Sequence, residues 1–306
     1  MNRANLAFAG MIIACILWGS SHAIAKAALE TVPPFLLGAL RISITVPVLS
    51  LIFLLTKRRA VAASDRWPMA RLSMIGVVAS FVFGYSGINL TLSSDASLLI
   101  IGEVIFTAIL AYFLLHERIE RNRLIGIAIG AVGAIILIGG TASANTVAAP
   151  NRLLGNLLFL ICLACESYYT VRGGLFLKRN DSISMMLLVN GISMIVWVPI
   201  IVWYIASGQF PQFDNATLLS TLYLALVPSV LCYFLWFHAV QHVGATVAGV
   251  ALLFQPVVGA ILGITMLGDP ITWPLISGGV LVISALVITS LPQKPATPTI
   301  VTEVNQ

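Results

Sequence analysis

The sequence predicts an all-α membrane protein of ten transmembrane helices, arranged as two five-helix repeats inserted in opposite directions. Three observations carry that expectation. Apolar residues make up 59% of the 306, charged ones only 9%, and mean hydropathy is +1.02, whereas a soluble chain carries about 25% charged residues. Polar or turn-forming breaks divide the chain into ten apolar runs of the roughly 20 residues that a spanning helix needs. Sliding the chain over itself by 152 positions lays one half on the other.

The spans run approximately 6–28, 33–55, 69–91, 95–115, 121–140, 153–176, 183–206, 216–240, 244–267 and 271–291. Arg3 and Ala23-Ile24-Ala25 give the first a likeness to a signal peptide. Its apolar stretch exceeds a usual h-region, however, and its removal would break the repeat. Ten spans put both termini on one side. The connectors of that side hold Arg3, Lys57, Arg58, Arg59, Arg66, Arg71, Arg118, Arg121, Arg123, Lys178, Arg179 and Lys294, while those of the other side hold only Arg152. Positive charge gathers in cytoplasmic loops, so both termini are expected in the cytoplasm. Residues 1–142 form the first repeat and 151–291 the second; the tail 292–306 reads as disordered.

At the 152-residue shift, residues 95–119 lie on 247–271 with six identities in 25 positions, Gly126 lies on Gly278 and Pro47 on Pro199. Phe81, Tyr85 and Asn89 fall on Tyr233, Phe237 and Gln241. Each set is two aromatics and an amide along one helix face. Five is odd, so the second copy enters the bilayer from the opposite side. Inverted repeats recur in secondary transporters, with the substrate site near the midplane between the halves. The spacings Gly126 to Gly130 and Gly259 to Gly263 read as close helix packing.

Several other classes are disfavoured. The net charge of +5 and pI near 9.2 come from scattered connectors without an aromatic-basic surface, which argues against nucleic acid. Cys15, Cys162, Cys165 and Cys232 lie in apolar runs with no loops to staple, and the CxxC of Cys162 and Cys165 lacks the further ligands of a metal site. Gly84-Tyr85-Ser86-Gly87 matches the GxSG of intramembrane serine proteases, with His238 or His242 as a conceivable base. Ser86 and His238 are related by the same 152-residue shift, and the ten-helix inverted plan does not resemble that of such proteases. The connectors are too short for an intramembrane transferase, and a channel would need a ring of charges or a filter. No enzyme activity, cofactor or metal is expected. There is no P-loop, so energy comes from a gradient rather than from an ATPase subunit.

A charge at the bilayer centre costs roughly 2.5–3.5 kcal/mol, so each demands a reason. Glu103 and Glu166 lie within about two residues of the middles of spans 4 and 6. Either they fasten the bundle, or they line a cavity, bind a substrate amine and carry protons. Trp18 and His22 share a face of span 1, with Ser21 beside them. His22 joins Glu103 and Glu166 as a candidate for proton coupling, against the alternative of a neutral His bonded to a carbonyl. Tyr85 with Asn89, and Trp236 and Phe237 with Gln241, offer stacking surfaces and amides to an amphipathic solute, or simply pack. Tyr169 lies one turn after Glu166. Gln255 occupies the counterpart of position 103, and Pro256 frees a carbonyl or acts as a hinge. Arg41 is read either as snorkelling outward or as pairing with Glu103 or a substrate carboxylate. Lys26 and Arg172 read as interfacial anchors.

WGSSHAIAK in span 1, Glu-Val-Ile-Phe-Thr-Ala ending in HERI in span 4, and Gln-Pro-Val-Val-Gly-Ala in span 9 together resemble the drug/metabolite transporter superfamily, in particular its EamA-type ten-helix members. The resemblance covers about residues 6–291. Ser-Tyr-Tyr-Thr-Val, 167–171, is similar to the sixth span of YddG-like aromatic amino-acid exporters. The resemblance implies alternating access by two five-helix halves and export of small metabolites through a bacterial inner membrane. Amino acids, aromatic or otherwise apolar, are the leading cargo; efflux of toxic cations or uptake of a metabolite is the alternative. The expected partners are a small-molecule substrate and lipid, with the chain a monomer or weak dimer.

Overall fold

A computed structural model describes residues 3–116, 121–141, 151–177, 179–236 and 254–290, and every regular element among them is helical. Helix α1 spans Arg3–Ala28, α2 Pro34–Leu55, α3 Ala63–Ser73, α4 Ser80–Leu90, α5 Ser93–Leu99 and α6 Ile101–Leu115. After them come α7 Arg121–Thr141, α8 Arg152–Leu177, α9 Ser182–Ala206, α10 Asn215–Leu226, α11 Phe254–Leu267 and α12 Trp273–Ser290. Two π-helical segments interrupt this pattern. Met74–Ala79 joins α3 to α4, and Val227–Leu231 continues α10 into helical residues 232–236.

Local chemistry sets the ends. Pro34 opens α2, where its missing N–H would have had no helical acceptor. Asp181 and Asp214 cap α9 and α10, accepting from the backbone N–H of Ser184 at 3.1 Å and of Thr217 at 2.8 Å. Asp214 lies outside the spans, and hydrogen bonds from the Thr217 side chain and backbone hold its carboxyl below the ordinary value of 3.8.

Seven helical stretches are long and apolar enough to cross a membrane: Phe8–Ala28, Pro34–Leu55, Ala63–Leu90, Ser93–Leu115, Arg152–Leu177, Ser182–Ala206 and Asn215–Trp236. Leu124–Leu137, Phe254–Leu267 and Trp273–Ile288 are shorter apolar helices. The third stretch begins at Ala63 rather than near 69. Its polar first turn stays helical because Asp65 is buried and accepts from Asn180 Nδ2 at 3.1 Å. Phe237, His238, Gln241 and His242, with the start of the expected ninth span and the tail 292–306, lie outside the described residues.

Packing joins α4 to α8, α2 to α9, α1 to both α10 and α11, α11 to α5, α6 to α8, α10 to α2, α3 to α9, and α7 to α12. A β-carbon on Gly87 would lie 2.8 Å from the Gly155 carbonyl oxygen, and one on Gly155 equally close to that of Gly87, so α4 and α8 meet backbone to backbone. Gly133 of α7 and Gly278 of α12 make the same reciprocal contact. Leu54, Ile135, Ile195 and Trp273 project outward, as suits a lipid-facing perimeter.

One end of the bundle is tied by polar contacts. Arg152, expected as the lone basic residue of the outer connectors, is buried instead. Its Nε and Nη2 donate to Asp95 Oδ2 at 2.6 Å and Oδ1 at 2.7 Å, with side-chain exposures of 4% and 0%. At that depth a charge persists only when paired. Asn156 Nδ2 and Thr91 Oγ1 add longer bonds to the same carboxylate, each 3.4 Å. Ser94 N donates to Asp269 at 2.7 Å. Lys26 Nζ donates to the carbonyls of Ile88 and Asn89 at 3.1 and 2.8 Å, offsetting the negative end of α4.

Candidate functional site

The first π segment packs on α8 and α9, the second on α1 and α2. A π turn bonds i to i+5, so it re-aims the side chains on the helix it interrupts, and such turns concentrate at functional sites. Ser80 and Phe81 come directly after the first segment; Pro228 and Ser229 lie within the second. These four residues organise the polar centre.

Arg41 of α2 donates from Nε to Ser229 Oγ at 2.7 Å and from Nη1 to Tyr85 OH at 2.8 Å. Its guanidinium stands 4.6 Å from the centroid of the Phe81 ring, a cation–π contact. Next to Phe81, Ser80 Oγ donates to Glu166 Oε1 at 3.1 Å and lies 3.5 Å from the Cys162 thiol. Glu103 of α6 is within electrostatic reach of Glu166. The Glu103 carbonyl accepts from Ser167 Oγ at 3.0 Å, which holds α6 against α8. His22 Nδ1 is 3.3 Å from Ser97 Oγ, and its ring meets Phe159 edge-on at 5.5 Å.

An aromatic wall adjoins these charges. Trp18 Nε1 donates to the Pro228 carbonyl at 3.1 Å. The Trp18 ring lies 5.2 Å from Tyr233 and 5.6 Å from Trp236, and Tyr233 lies 6.4 Å from Tyr169. Tyr169 covers Gly76 of the first π segment, where a β-carbon would come within 2.6 Å of it. Gly76 thus lets the aromatic wall close on the backbone.

The expected residues therefore divide. Trp18, Tyr85, Glu166, Tyr169 and Trp236 join Arg41 in one network, with Glu103 and His22 on its flanks. Ser21 bonds within its own helix, to the Leu17 carbonyl at 3.2 Å. Asn89 offers its backbone carbonyl to Lys26, which anchors α4 rather than an interface. Gln255 and Pro256 are buried, with the Gln255 backbone against Gly19.

Trp18, His22, Arg41, Glu103, Glu166 and Trp236 are half-buried, not sealed. Among the described residues, the sealed side-chain atoms lacking a hydrogen-bond partner are Ser93 Oγ, Ser94 Oγ and Trp197 Nε1. Arg41 Nη2 and the Glu103 carboxylate have no hydrogen-bond partner among the described residues, and both side chains are partly exposed. A separate cavity of about 450 Å³, lined by Phe35, Pro199, Ile200, Trp203 and Tyr204, lies between α2 and α9 at the perimeter, away from these charges.

The family model of EamA-like transporters matches residues 5–139 and again residues 153–291. The chain belongs to the EamA-like transporter family. Among its relatives, the uncharacterized transporter YetK of Bacillus subtilis is 27% identical over 292 residues, covering 94% of this chain and 88% of its own. Proteins called probable amino-acid metabolite efflux pumps are also 27% identical. That of Salmonella typhimurium aligns over 90% of this chain and 92% of its own, and that of Escherichia coli over 94% and 95%. A crystal structure with 21% identity superposes at TM-score 0.66, over 93% of this chain and 98% of its own, which shows the fold alone.

In this EamA transporter the residues missed by sequence reading are those that hold the charged ones. Ser80 and Ser229 are small hydroxyls in apolar helices, a type too common to single out. Asp95 and Arg152 left a usable trace: opposite charges opening two apolar runs at one expected side of the bilayer.

Proposed function

We propose that this EamA transporter is a secondary exporter of small metabolites, foremost amino acids with aromatic or other apolar side chains. It works across the bacterial inner membrane by alternating access of two inverted five-helix halves, with both termini in the cytoplasm. Ten spans and the inverted repeat find support in the packing. If the second half repeats the first, α4 on α8 has its counterpart in α10 on α1, α6 on α8 in α11 on α1, and α10 on α2 in α3 on α9. The π segments lie at 74–79 and 227–231, equivalent positions at the 152-residue shift. The family model also matches twice, in halves close to 1–142 and 151–291.

One observation carries the cargo reading. Arg41 and Glu103 keep polar atoms unbonded among the described residues, and Glu166 is met only by a hydroxyl and a thiol, beside the wall of Trp18, Tyr233 and Trp236. A charged group in apolar surroundings is retained when it faces a water-filled cavity or a partner, and a solute with polar and aromatic parts supplies the partner. Two carboxylates against one guanidinium favour an amphipathic cation as the second cargo.

Proteoliposomes of the purified protein test the reading. Phenylalanine, tryptophan or methionine is expected to move along its gradient and to exchange against labelled phenylalanine, faster than in protein-free vesicles. Transport of an organic cation with no movement of any amino acid would replace the first cargo by the second. His22, Glu103 and Glu166 supply proton coupling, so an imposed pH gradient is expected to change the rate; an unchanged rate removes that role. No nucleotide, cofactor or ATPase subunit enters the cycle.

A further inference from the structure

Arg41 of α2 and Glu166 of α8 are opposite charges within electrostatic reach of one another that do not meet. They are neighbours because their holders are consecutive: Ser80 donates to Glu166, and Phe81 lies beneath Arg41. Yet the ion pair closing within 4 Å among the described residues is that of Arg152 with Asp95, and none joins Arg41 to Glu166 or Glu103. Two of the five N–H bonds of Arg41 are taken by Ser229 and Tyr85. Among the described residues its Nη2 has no acceptor, and the Glu166 carboxyl, met by the Ser80 hydroxyl and the Cys162 thiol, has no N–H donor. Both side chains are only partly buried.

Two unlike charges held apart in an apolar interior, each partly exposed and with spare bonding capacity, call for a ligand carrying the same two charges reversed. We propose that Arg41 and Glu166 form a two-point clamp for the zwitterionic head of an α-amino acid, Arg41 taking the carboxylate and Glu166 the ammonium. This deepens the exporter reading and rests on it. The planar guanidinium offers parallel N–H donors to a carboxylate. A zwitterion also fills the gap without adding net charge to a medium in which an unpaired charge is costly. The side chain then has a place. Pro228, whose carbonyl holds Trp18, precedes Ser229, which holds Arg41, so the aromatic wall begins one residue from the carboxylate subsite. Tyr85 and Ser229 are positioning residues that fix the guanidinium.

Exchange in proteoliposomes, loaded with labelled phenylalanine, separates the clamp from the transporter reading. Competitors are phenylalanine, phenethylamine, which lacks the carboxylate, and 3-phenylpropionate, which lacks the ammonium. The wild type is expected to prefer phenylalanine over both by about tenfold or more, the size of one lost charge-assisted contact. Arg41→Gln raises the KM for phenylalanine by about that factor and removes the preference over phenethylamine, while Glu166→Gln removes the preference over 3-phenylpropionate. The preference is a ratio within one preparation, so a loss of folded protein cancels. Should Arg41→Gln give no transport, Arg41→Lys carries the test: it keeps the charge, loses the fork, and is expected to weaken the phenylalanine preference. Wild-type transport of phenylalanine with unchanged KM and unchanged preferences in the variants overturns the clamp and leaves the exporter. No wild-type transport of any amino acid overturns both.

Discussion

Replacing Arg152 by Met tests whether the polar end of the bundle is a structural tie. The substitution removes the two short bonds to Asp95, 2.6 and 2.7 Å, and leaves a fully buried carboxylate with only the 3.4 Å contacts from Asn156 and Thr91. Removing one partner of a buried pair costs about 3–5 kcal/mol, because the remaining charge is uncompensated. A chain of this size loses about 2–4 °C per kcal/mol, so the Tm of the purified protein should fall by on the order of 10 °C. Asp95→Asn should cost less, since Arg152 opens α8 and its long side chain can turn toward the membrane surface. The double variant is the decisive arm. With both charges gone, the Tm should recover above that of Arg152→Met alone, giving a coupling that independent sites lack. A Tm for Arg152→Met equal to the wild type, or strictly additive losses in the double variant, refutes the reasoning.

Gly263→Ala should lose about 1–3 kcal/mol, because its β-carbon would sit 2.7 Å from Asp269 Oδ2 and 2.8 Å from Ser94 N. Gly174→Ala meets nothing within 4 Å and should gain about 0.5 kcal/mol; thermal melts of the two variants decide. Asp214→Ala should lower the Tm at neutral pH. The folded carboxyl is depressed, so its contribution is present above 3.8 and lost as pH falls through the folded value. The gap between variant and wild type should therefore close in acid, and a gap unchanged by acid would deny the cap.

Much of this molecule is legible in its sequence because bilayer physics writes in long, uniform signals. Among the described residues, twenty-residue apolar runs place the helix ends to within a few residues, except at Ala63, where a polar turn stays helical through a contact with Asn180, 115 positions away. Trp18, Tyr85, Glu166 and Tyr169 stand out because polar and aromatic groups are conspicuous at mid-span. Their partners do not. For Arg41 the sequence leaves a choice between snorkelling and pairing with Glu103, and which of its neighbours it bonds depends on how far a π turn rotates Tyr85 and Ser229. Hydropathy is blind to that rotation: a helix wound i to i+5 has the same composition as one wound i to i+4. Arg152 is misjudged for a related reason, since a charge at a span boundary looks the same in water as when buried against an aspartate 57 residues distant.

Among the described residues, helices α7 and α12 supply none of the groups around Arg41; they are pressed together through Gly133 and Gly278 at the flank. The pair reaches the polar centre through its contacts with α5 and α6: a β-carbon on Gly130 of α7 would press on Ile101, two residues before Glu103. A larger residue on this flank is therefore felt at the carboxylate as a displacement of the helix that carries it.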